Sequence, residues 1–324
     1  MIRNEIFREE LRQQMSGEIL FDEPARHHTS IGVGGGIDLL LFPENERELV
    51  NVIGYLRRQN LPFLPVGNWT NLIVRDGGFR GALVSLARLR DLCLRDERTG
   101  DVLLFAGAGC PLSELVSLAM RKALTGTEFC AGIPGSVGGA IRMNAGAYGG
   151  EMKDIVESVT LLDVGDTLRQ NVVRGDTLRQ DVPIIRTVAR DELHFTYRNL
   201  DLPVETIMIG AAICLQRGDT EKISGRIREI IEMRREKHPL EFRNAGSVFK
   251  NPRDCPAGRL IEQAGLKGIR LGDAQVSEKH ANFIVNLGHA TAAEILSLVA
   301  LIQQRVLEKT GRTLETEVKI IGES

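Results

Sequence analysis

The sequence has little of several features that mark particular classes of protein. Lysine and arginine number 41 against 43 aspartate and glutamate residues, a net charge of −2, so the basic excess of a nucleic-acid-binding protein is missing. No run approaches the about 18 apolar residues of a membrane-spanning helix. Residues 1–14 also lack the apolar stretch of a signal peptide. We therefore expect a chain that binds neither nucleic acid nor membrane.

Cysteine is also scarce, and its spacing excludes two common sites. The five cysteines are far apart and no Cys-x-x-Cys occurs, which argues against a zinc or thioredoxin-type site. Widely spaced cysteines in odd number are typical of thiols in a reducing cytoplasm, so we expect a cytoplasmic protein. His27 and His28 are adjacent and cannot both face one metal in regular structure, while His238 and His280 have no ligand set nearby in sequence. We expect no metal site.

Glycine, in contrast, is abundant and clustered. The chain has 34 glycines in 324 residues, against an average usage of about 7%. Residues 32–36, 67–81 and 132–150 hold 15 of them. Because 43% hydrophobic and 26% charged residues are ordinary globular values, this clustering indicates close approach of the backbone to something rather than disorder.

Hydrophobic periodicity predicts alternating helices and strands. Asn45, followed three residues later by Glu48, is typical of a helix N-terminus, and Thr291 with Glu294 forms the same pattern. Strands 72–74 and 82–86 flank a Gly-Gly turn and are expected to form one small unit with the helix and strand before them. The predicted helices cover 1–15, 112–122, 224–237 and 295–308 besides the one after Asn45, and the predicted strands 38–42, 61–66, 72–74, 82–86, 102–105, 156–163, 206–216 and 317–321.

One internal repeat is present. Residues 165–174 (GDTLRQNVVR) and 175–184 (GDTLRQDVPI) share their first six residues. A period of ten is too short for a solenoid repeat. A tandem duplication that lengthens a surface hairpin is the simpler interpretation, and a partner-binding arm is the alternative.

Three segments could carry chemistry. Residues 132–150 contain seven glycines, and such backbone can offer its N–H groups to a phosphate or a flat ring, although a tightly packed loop has the same composition. Residues 67–71 form a polar turn after a strand, with the same two interpretations. Residues 244–251 place Ser247, a lysine and two asparagines around a small-residue turn. The Gly107-x-Gly109 pair has Leu112 at the third position and is therefore not a classical dinucleotide fingerprint.

Eight segments together resemble one family, the UDP-N-acetylenolpyruvoylglucosamine reductases (MurB) of peptidoglycan synthesis. Only about ten residues separate Pro252 from Ala264, as in the shorter form of this family. The segments are colinear over about 290 residues: 28–35 (HTSIGVGG), 65–81 (PVGNWTNLIV and DGGFRG), 132–151 (GIPGSVGGAI and MNAGAYGGE), 197–198 (YR), 244–252 (NAGSVFKNP), 264–268 (AGLKG), 274–286 (AQVSEKHANFIVN) and 314–322 (LETEVKIIG).

The resemblance implies an α+β fold with a two-part FAD-binding region of the vanillyl-alcohol-oxidase (PCMH) type and a C-terminal α+β substrate domain. The implied domains are 1–88 with a returning strand 312–324, then 89–218, then 219–311. The implied reaction uses FAD and NADPH to reduce an enolpyruvyl UDP-sugar, with no protein partner evident. An FAD oxidase or dehydrogenase of the same fold acting on another substrate, and a non-catalytic flavin-binding paralogue, remain alternatives.

Residue roles also come from the resemblance. Ser247 is implied to be the proton donor, Arg198 to hold the developing negative charge, and Glu317 to act with Arg198. Trp69 stands where the family usually has glycine, and Leu200 where a serine is common, so flavin placement and one polar contact are in question. The implied cofactor-binding residues are Gly67, Asn68, Trp69, Thr70, Asn71, Gly132, Ile133, Pro134, Gly135, Ser136, Gly138, Gly139 and Ala140, and the implied substrate-binding residues are Tyr197, Lys237, Asn251 and His280.

Overall fold

The computed structural model describes residues 4–97, 100–165, 183–203 and 205–324. The repeat at 165–184 therefore lies almost entirely outside the described residues. The chain divides into two compact units. Unit 1 contains Met1–Leu20, Leu39–Asn68 and Gly81–Ile230, and unit 2 contains Phe21–Asp38, Trp69–Arg80 and Ile231–Ser324. The division into three domains expected from the resemblance stays a prediction.

Helices and strands alternate along the described residues. The α-helices are α1 (Glu5–Gln14), α2 (Glu46–Arg58), α3 (Leu112–Arg121), α4 (Val137–Arg142), α5 (Thr220–Lys237), α6 (Ala257–Gln263) and α7 (Ala292–Thr310). The strands are β1 (Glu18–Pro24), β2 (Gly36–Phe42), β3 (Phe63–Val66), β4 (Leu72–Val74), β5 (Phe79–Ser85), β6 (Leu92–Glu97), β7 (Asp101–Gly107), β8 (Leu124–Thr125), β9 (Gly146–Ala147), β10 (Gly150–Glu151), β11 (Val156–Asp163), β12 (Ile184–Ala189), β13 (His194–Thr196), β14 (Asn199–Asp201), β15 (Thr206–Arg217), β16 (Arg243–Ser247), β17 (Arg270–Leu271), β18 (Ala274–Val276), β19 (Phe283–Asn286) and β20 (Lys319–Ile321).

The predicted N-caps form, but one of them is used differently from the expected pattern. Thr291 and Glu294 make the full reciprocal capping box of α7. Asn45 accepts a hydrogen bond from the backbone N–H of Glu48 at 3.0 Å. The Glu48 carboxylate accepts instead from the backbone of Ser16 at 3.0 Å and of Gly17 at 3.3 Å, so it ties the segment after α1 to the start of α2.

Unit 1 is built on a six-stranded sheet. Strand β15 is central and pairs antiparallel with β11 on one side and β7 on the other, and the path runs β12-β11-β15-β7-β6, with β8 on the end of β15. Residues of β15 such as Ala211 and Ile213 are fully buried because both neighbours and α4 cover the strand. The helix α4 therefore begins against the buried centre of this sheet.

Unit 2 has a four-stranded sheet of order β16-β19-β18-β17, covered by α6 and α7. The largest fully buried side chain here is Phe249, and Leu298 and Ile302 of α7 pack in the same apolar core. The backbone N–H groups of Ala292 and Ala293 both donate to the carboxylate of Asp76, so the start of α7 is fixed by a residue 216 positions earlier.

The expectation that the two strands flanking the Gly-Gly turn belong to one small unit is wrong. Strand β4 pairs in parallel with β20 near the end of the chain, while β5 pairs in parallel with β3. Strand β5 also belongs to the sheet β1-β2-β5-β3. Among the described residues, no helix has the length and hydropathy needed to cross a membrane.

Candidate active site

Ser247 ends β16 beside an irregular pairing with β19. Ser247 lies opposite Phe283, and the register shifts between Asn244 and Ser247. Gly246 has φ +75°, a left-handed conformation that glycine adopts without steric cost, and its N–H donates to the Asn244 side chain at 2.9 Å. The small-residue turn therefore interrupts the regular ladder just before Ser247, and Ser247 itself is half-buried.

Glu317 lies directly beside this turn. Its backbone N–H donates to the carbonyl of Val248 at 2.8 Å, and its carbonyl accepts from the Asn71 side chain at 3.2 Å. The structure thus brings together Ser247, Glu317 and Asn71, three residues predicted from separate segments. The Asn71 amide nitrogen is engaged with the protein backbone rather than pointing only to solvent.

The substrate-binding residues predicted in unit 2 have different surroundings. Lys237 is the exposed last residue of α5. Asn251 is exposed too, and its Oδ1 accepts from the backbone N–H of Ala257 at 2.9 Å, which helps to begin α6. His280 is half-buried within a ring cluster. The exposed Lys237 and Asn251 could contact a ligand. The Asn251 side chain also stabilises the start of α6.

The ring cluster contains His238, His280 and Phe283. The two imidazoles are 5.5 Å apart edge to face, and each lies within 5.0 Å of the Phe283 ring. The N–H of Asn282 donates to Nδ1 of His280 at 3.2 Å, so the ring proton of neutral His280 is on Nε2. Burial lowers the pKa of His280. His280 therefore presents a neutral N–H donor.

His238 is a residue that the sequence interpretation did not use. Burial lowers its pKa to about 4, helped by the positive charge of Arg234, by His280 and by Lys279. Its Nδ1 is buried and has no hydrogen-bond partner among the described residues. The ring beside His280 is therefore a neutral imidazole, with the positive charges of Arg234 and Lys279 nearby. The sequence around His238, which follows a charged helix, did not predict that this histidine is buried and neutral.

In unit 1, Tyr197 and Arg198 form the two-residue turn between β13 and β14. Arg198 has φ +57°, and its Nη2 donates to the carbonyl of Gly146 at 2.9 Å. Its guanidinium carbon lies 5.1 Å from the ring centre of Tyr197, a cation–π distance. Leu200, the departure from the family pattern, is fully buried opposite Phe195 and serves the hairpin rather than a ligand.

Asn144 is a second residue that the sequence interpretation missed. It is fully buried with φ +40°. Its Nδ2 donates to Glu151 at 2.8 Å and to the carbonyl of Thr196 at 3.1 Å, while its Oδ1 accepts from the N–H of Lys153 at 3.0 Å. Asn144 thereby fixes the residue just before the Tyr197–Arg198 turn. Its place in a small-residue motif was the only signal in the sequence.

The two glycine-rich segments predicted to bind the cofactor meet in unit 1. A Cβ on Gly67 would lie 2.5 Å from Oγ of Ser136, the N-cap of α4. Gly132 and Gly135 have φ of +71° and +141°, and residues 132–135 are at least partly exposed. This cradle has glycine at positions 67, 132 and 135 and fits the diphosphate of a dinucleotide, whose oxygens need close approach to backbone N–H groups.

Not every glycine of this segment faces a ligand. The N–H of Gly138 donates to the carbonyl of Ala108 at 2.9 Å, and a Cβ there would lie 2.7 Å from the Ala108 Cβ. Gly138 therefore permits α4 to pack on the loop after β7. Glycines in the cluster at 32–36 likewise permit close packing within the protein. A Cβ on Gly32 would lie 2.7 Å from the Arg243 guanidinium, and one on Gly35 would overlap the Asp76 carbonyl.

Trp69 occupies the loop at 67–71 in a conformation that suits glycine. Its φ is +57°, and a left-handed conformation costs a non-glycine residue roughly 1–2 kcal/mol. The indole is 8% exposed, and its ring centre lies 5.5 Å from that of His28. The side chain is thus accommodated by packing against His28 within unit 2, to which both residues belong. The backbone retains the left-handed turn conformation.

His27 and His28, expected to point apart, both reach one carboxylate oxygen. His27 Nδ1 lies 3.2 Å and His28 Nε2 3.0 Å from Oε1 of Glu23. They converge because His27 ends a short 3₁₀ turn at Ala25–His27 and His28 caps it. Burial alone would raise the pKa of Glu23, but the hydrogen bonds from His28 and His27 outweigh it and lower the pKa.

Comparison with known proteins defines the class of this chain. Residues 37–170 match the FAD binding domain family, and residues 238–321 match the C-terminal domain of UDP-N-acetylenolpyruvoylglucosamine reductase. The chain is therefore an FAD-dependent oxidoreductase with an FAD-binding part followed by a C-terminal domain, and the expected α+β fold class is confirmed.

The particular family follows from full-length relatives. The chain is 49% identical over 316 residues to UDP-N-acetylenolpyruvoylglucosamine reductase of Syntrophus aciditrophicus, covering 98% of this chain and 96% of the relative. It is 40% identical over 306 residues to that of Enterococcus faecalis, covering 94% and 95%. The crystal structure of the Thermus caldophilus MurB superimposes with a TM-score of 0.73 at 34% identity, over 94% of this chain and 99% of that one. The chain belongs to the UDP-N-acetylenolpyruvoylglucosamine reductase (MurB) family.

Proposed function

We propose that this protein reduces UDP-N-acetylglucosamine enolpyruvate to UDP-N-acetylmuramate with FAD and NADPH, in cytoplasmic peptidoglycan precursor synthesis. The observation that supports the proposal is the hydrogen bond from the Glu317 N–H to the carbonyl of Val248, next to Ser247, in a chain that is 49% identical to a reductase of this name. The turn that precedes Ser247 and the segment that leads into β20 are thus bonded to each other.

The chain's own residues have distinct tasks in this reaction. When bound, FAD supplies the hydride, originally from NADPH, that C3 of the enolpyruvyl group receives. Ser247 Oγ donates a proton to C2, and Glu317 supports that step from the adjacent backbone segment. Arg198 holds the carboxylate charge, since a guanidinium matches a carboxylate with two parallel hydrogen bonds.

The remaining predicted residues bind and orient. Gly67 and Ser136, with the exposed backbone at 132–135, receive the FAD diphosphate. Lys237 offers a point charge to the anionic sugar nucleotide, and His280 offers its neutral Nε2–H. Tyr197 and Asn251 complete the contacts implied by the resemblance. FAD oxidation chemistry on another substrate is the alternative, because the fold alone does not define the substrate.

Two half-reactions test the proposal. NADPH should bleach the flavin of the anaerobic protein, and the enolpyruvyl sugar nucleotide should restore its colour. Ser247→Ala should leave the bleaching rate unchanged and slow the recovery about 10²–10⁴-fold, the usual contribution of a positioned proton donor. Ser224→Ala is the matched control, because Ser224 is also half-buried but lies on α5, and its hydroxyl donates to the carbonyl of Glu221 in the same helix.

The outcomes separate the alternatives. Bleaching by NADPH without recovery would mean that the substrate assignment is wrong and would favour another acceptor. A protein that binds FAD but is not reduced by NADPH would support the non-catalytic paralogue. Equal slowing of both half-reactions by Ser247→Ala would contradict its role as proton donor.

A further inference from the structure

Trp69 is held in its left-handed conformation through both its backbone and its side chain. The backbone contacts come first. A left-handed non-glycine residue persists only when its surroundings determine it. The Trp69 carbonyl accepts from the N–H of Ser30 at 3.3 Å, and the Ser30 hydroxyl donates to the carbonyl of Asn244 at 2.7 Å. The backbone of the loop is thus tied to the segment that leads to Ser247.

The side chain of Trp69 is held separately. Its indole packs against the His28 ring at 5.5 Å with an interplanar angle of 34°. His28 is in turn bound by Glu23 through Nε2 at 3.0 Å. Because the hydrogen bonds to Glu23 keep its carboxyl ionised, Glu23 accepts and His28 donates. The orientation of the His28 ring is therefore fixed by its hydrogen bond to Glu23.

The indole is turned into the protein and not toward a ligand. Only 8% of Trp69 is exposed, so its ring cannot stack on a flavin without leaving His28. The contribution of Trp69 to cofactor binding must then come through the backbone of the loop, whose shape depends on where the indole is anchored.

We propose that Glu23 and His28 are positioning residues for the cofactor: they hold the Trp69 indole and thereby keep the 67–71 loop in the conformation that receives FAD. This rests on the role of residues 67–71 in binding FAD that the proposed function assigns. Neither residue touches the cofactor. Their importance follows from Trp69 and would vanish if residue 69 were glycine.

A double-mutant cycle on FAD affinity tests the proposal. The apoprotein is titrated with FAD, using flavin fluorescence, for the parent, His28→Ala, Trp69→Gly and the double variant. We expect His28→Ala to weaken binding about tenfold, and the double variant to match Trp69→Gly alone, because coupled residues are not additive. The matched control is His27→Ala, which removes the more exposed imidazole from the same Glu23 oxygen and should change affinity less than about twofold.

The sole tryptophan gives an independent readout. In His28→Ala, iodide should quench the tryptophan emission more strongly than in the parent, and His27→Ala should leave the quenching unchanged. Glu23→Gln keeps a hydrogen-bond acceptor and should be closer to the parent in both measurements than Glu23→Ala. This conservative variant keeps the test valid if His28→Ala folds poorly, which thermal unfolding of each apoprotein would reveal.

Three outcomes would overturn the proposal. If His28→Ala weakens FAD binding by the same factor when residue 69 is glycine, His28 acts independently of Trp69. If FAD affinity stays unchanged in every variant while iodide quenching rises, His28 and Glu23 hold the indole without influence on the cofactor. Unchanged quenching in both His28→Ala and Glu23→Ala would show that these residues do not hold the indole. The first two leave the reductase activity standing, whereas failure of the parent to bind FAD would contradict the proposed function itself.

Discussion

The backbone N–H of Glu317 donates to the carbonyl of Val248 at 2.8 Å, across a separation of 69 residues in sequence. The bridge between Phe249 and Thr316 continues the same contact. The residue after Ser247 is therefore bonded directly to Glu317, so that the backbone segments carrying the proposed proton donor and its supporting carboxyl are paired with each other.

Glu317→Gln tests whether this proximity serves the reaction. The change keeps the backbone bond and the size of the side chain and removes only the acid, so flavin reduction by NADPH should be unaffected. Recovery of the oxidised flavin with substrate should slow about 100-fold or more, as measured by stopped-flow absorbance. Glu315→Gln is the control, because that side chain is 73% exposed and pairs with Lys250; a similar loss there would contradict a specific role for Glu317.

Asn144→Asp should destabilise the protein and disturb the Arg198 turn. The aspartate could not donate to the Thr196 carbonyl and would face the Glu151 carboxylate in a fully buried position. We expect a loss of about 2–4 kcal/mol in the free energy of unfolding, measured with urea. The exposed Asn60 shares the left-handed conformation, and Asn60→Asp should change stability by less than about 0.5 kcal/mol.

Gly138→Ala and Gly225→Ala should have opposite effects. A methyl group at 138 would meet the Ala108 Cβ at 2.7 Å, whereas a Cβ at 225 in α5 has no atom of the described residues within 4 Å apart from its chain neighbours and the nearby backbone of its own helix. Overpacking should cost about 1–3 kcal/mol at 138, and the alanine at 225 should add roughly 0.5–1 kcal/mol. Thermal unfolding of the two variants measures the difference, and a stable Gly138→Ala protein would show that α4 can move.

The sequence allowed local features to be predicted more completely than distant ones. The caps at Asn45 and Thr291 depend on residues three positions away, and both formed. Asp76 holds the start of α7 from 216 positions away, and β4 pairs with β20 instead of β5; no periodicity within a segment contains such information. These pairings are decided by burial of surfaces that only the folded chain brings together.

The same limit applies to the candidate site. The motif at 244–252 predicted Ser247 through the resemblance, and the structure added the hydrogen bond from the Glu317 N–H to the carbonyl of Val248, the residue after Ser247. Trp69 was expected to be difficult to accommodate, but its packing against His28 could not be read from two short segments 41 residues apart. His238 gave no signal, because its low pKa depends on burial and on cations that converge from different elements.

His238 should make the folded protein less stable in mild acid. Its pKa is lowered from the ordinary 6.5 to about 4 by burial and then by Arg234, His280 and the nearby lysines. Between these two values the unfolded chain binds a proton that the folded protein does not, so stability is complete above about pH 6.5 and falls as the pH decreases toward 4. For a full proton the slope is about 1.4 kcal/mol per pH unit.

Urea unfolding of the parent and of His238→Gln between pH 7.5 and 4.5 isolates this contribution. The glutamine cannot be protonated in this range, so the variant should lose stability less steeply than the parent below about pH 6.5. The control is His289→Gln, which replaces an exposed histidine of the same unit, and its slope is compared with that of His238→Gln. Parallel curves for the parent and His238→Gln would mean that His238 binds its proton as readily in the folded protein as in the unfolded chain, and the neutral imidazole inferred beside His280 would then be wrong.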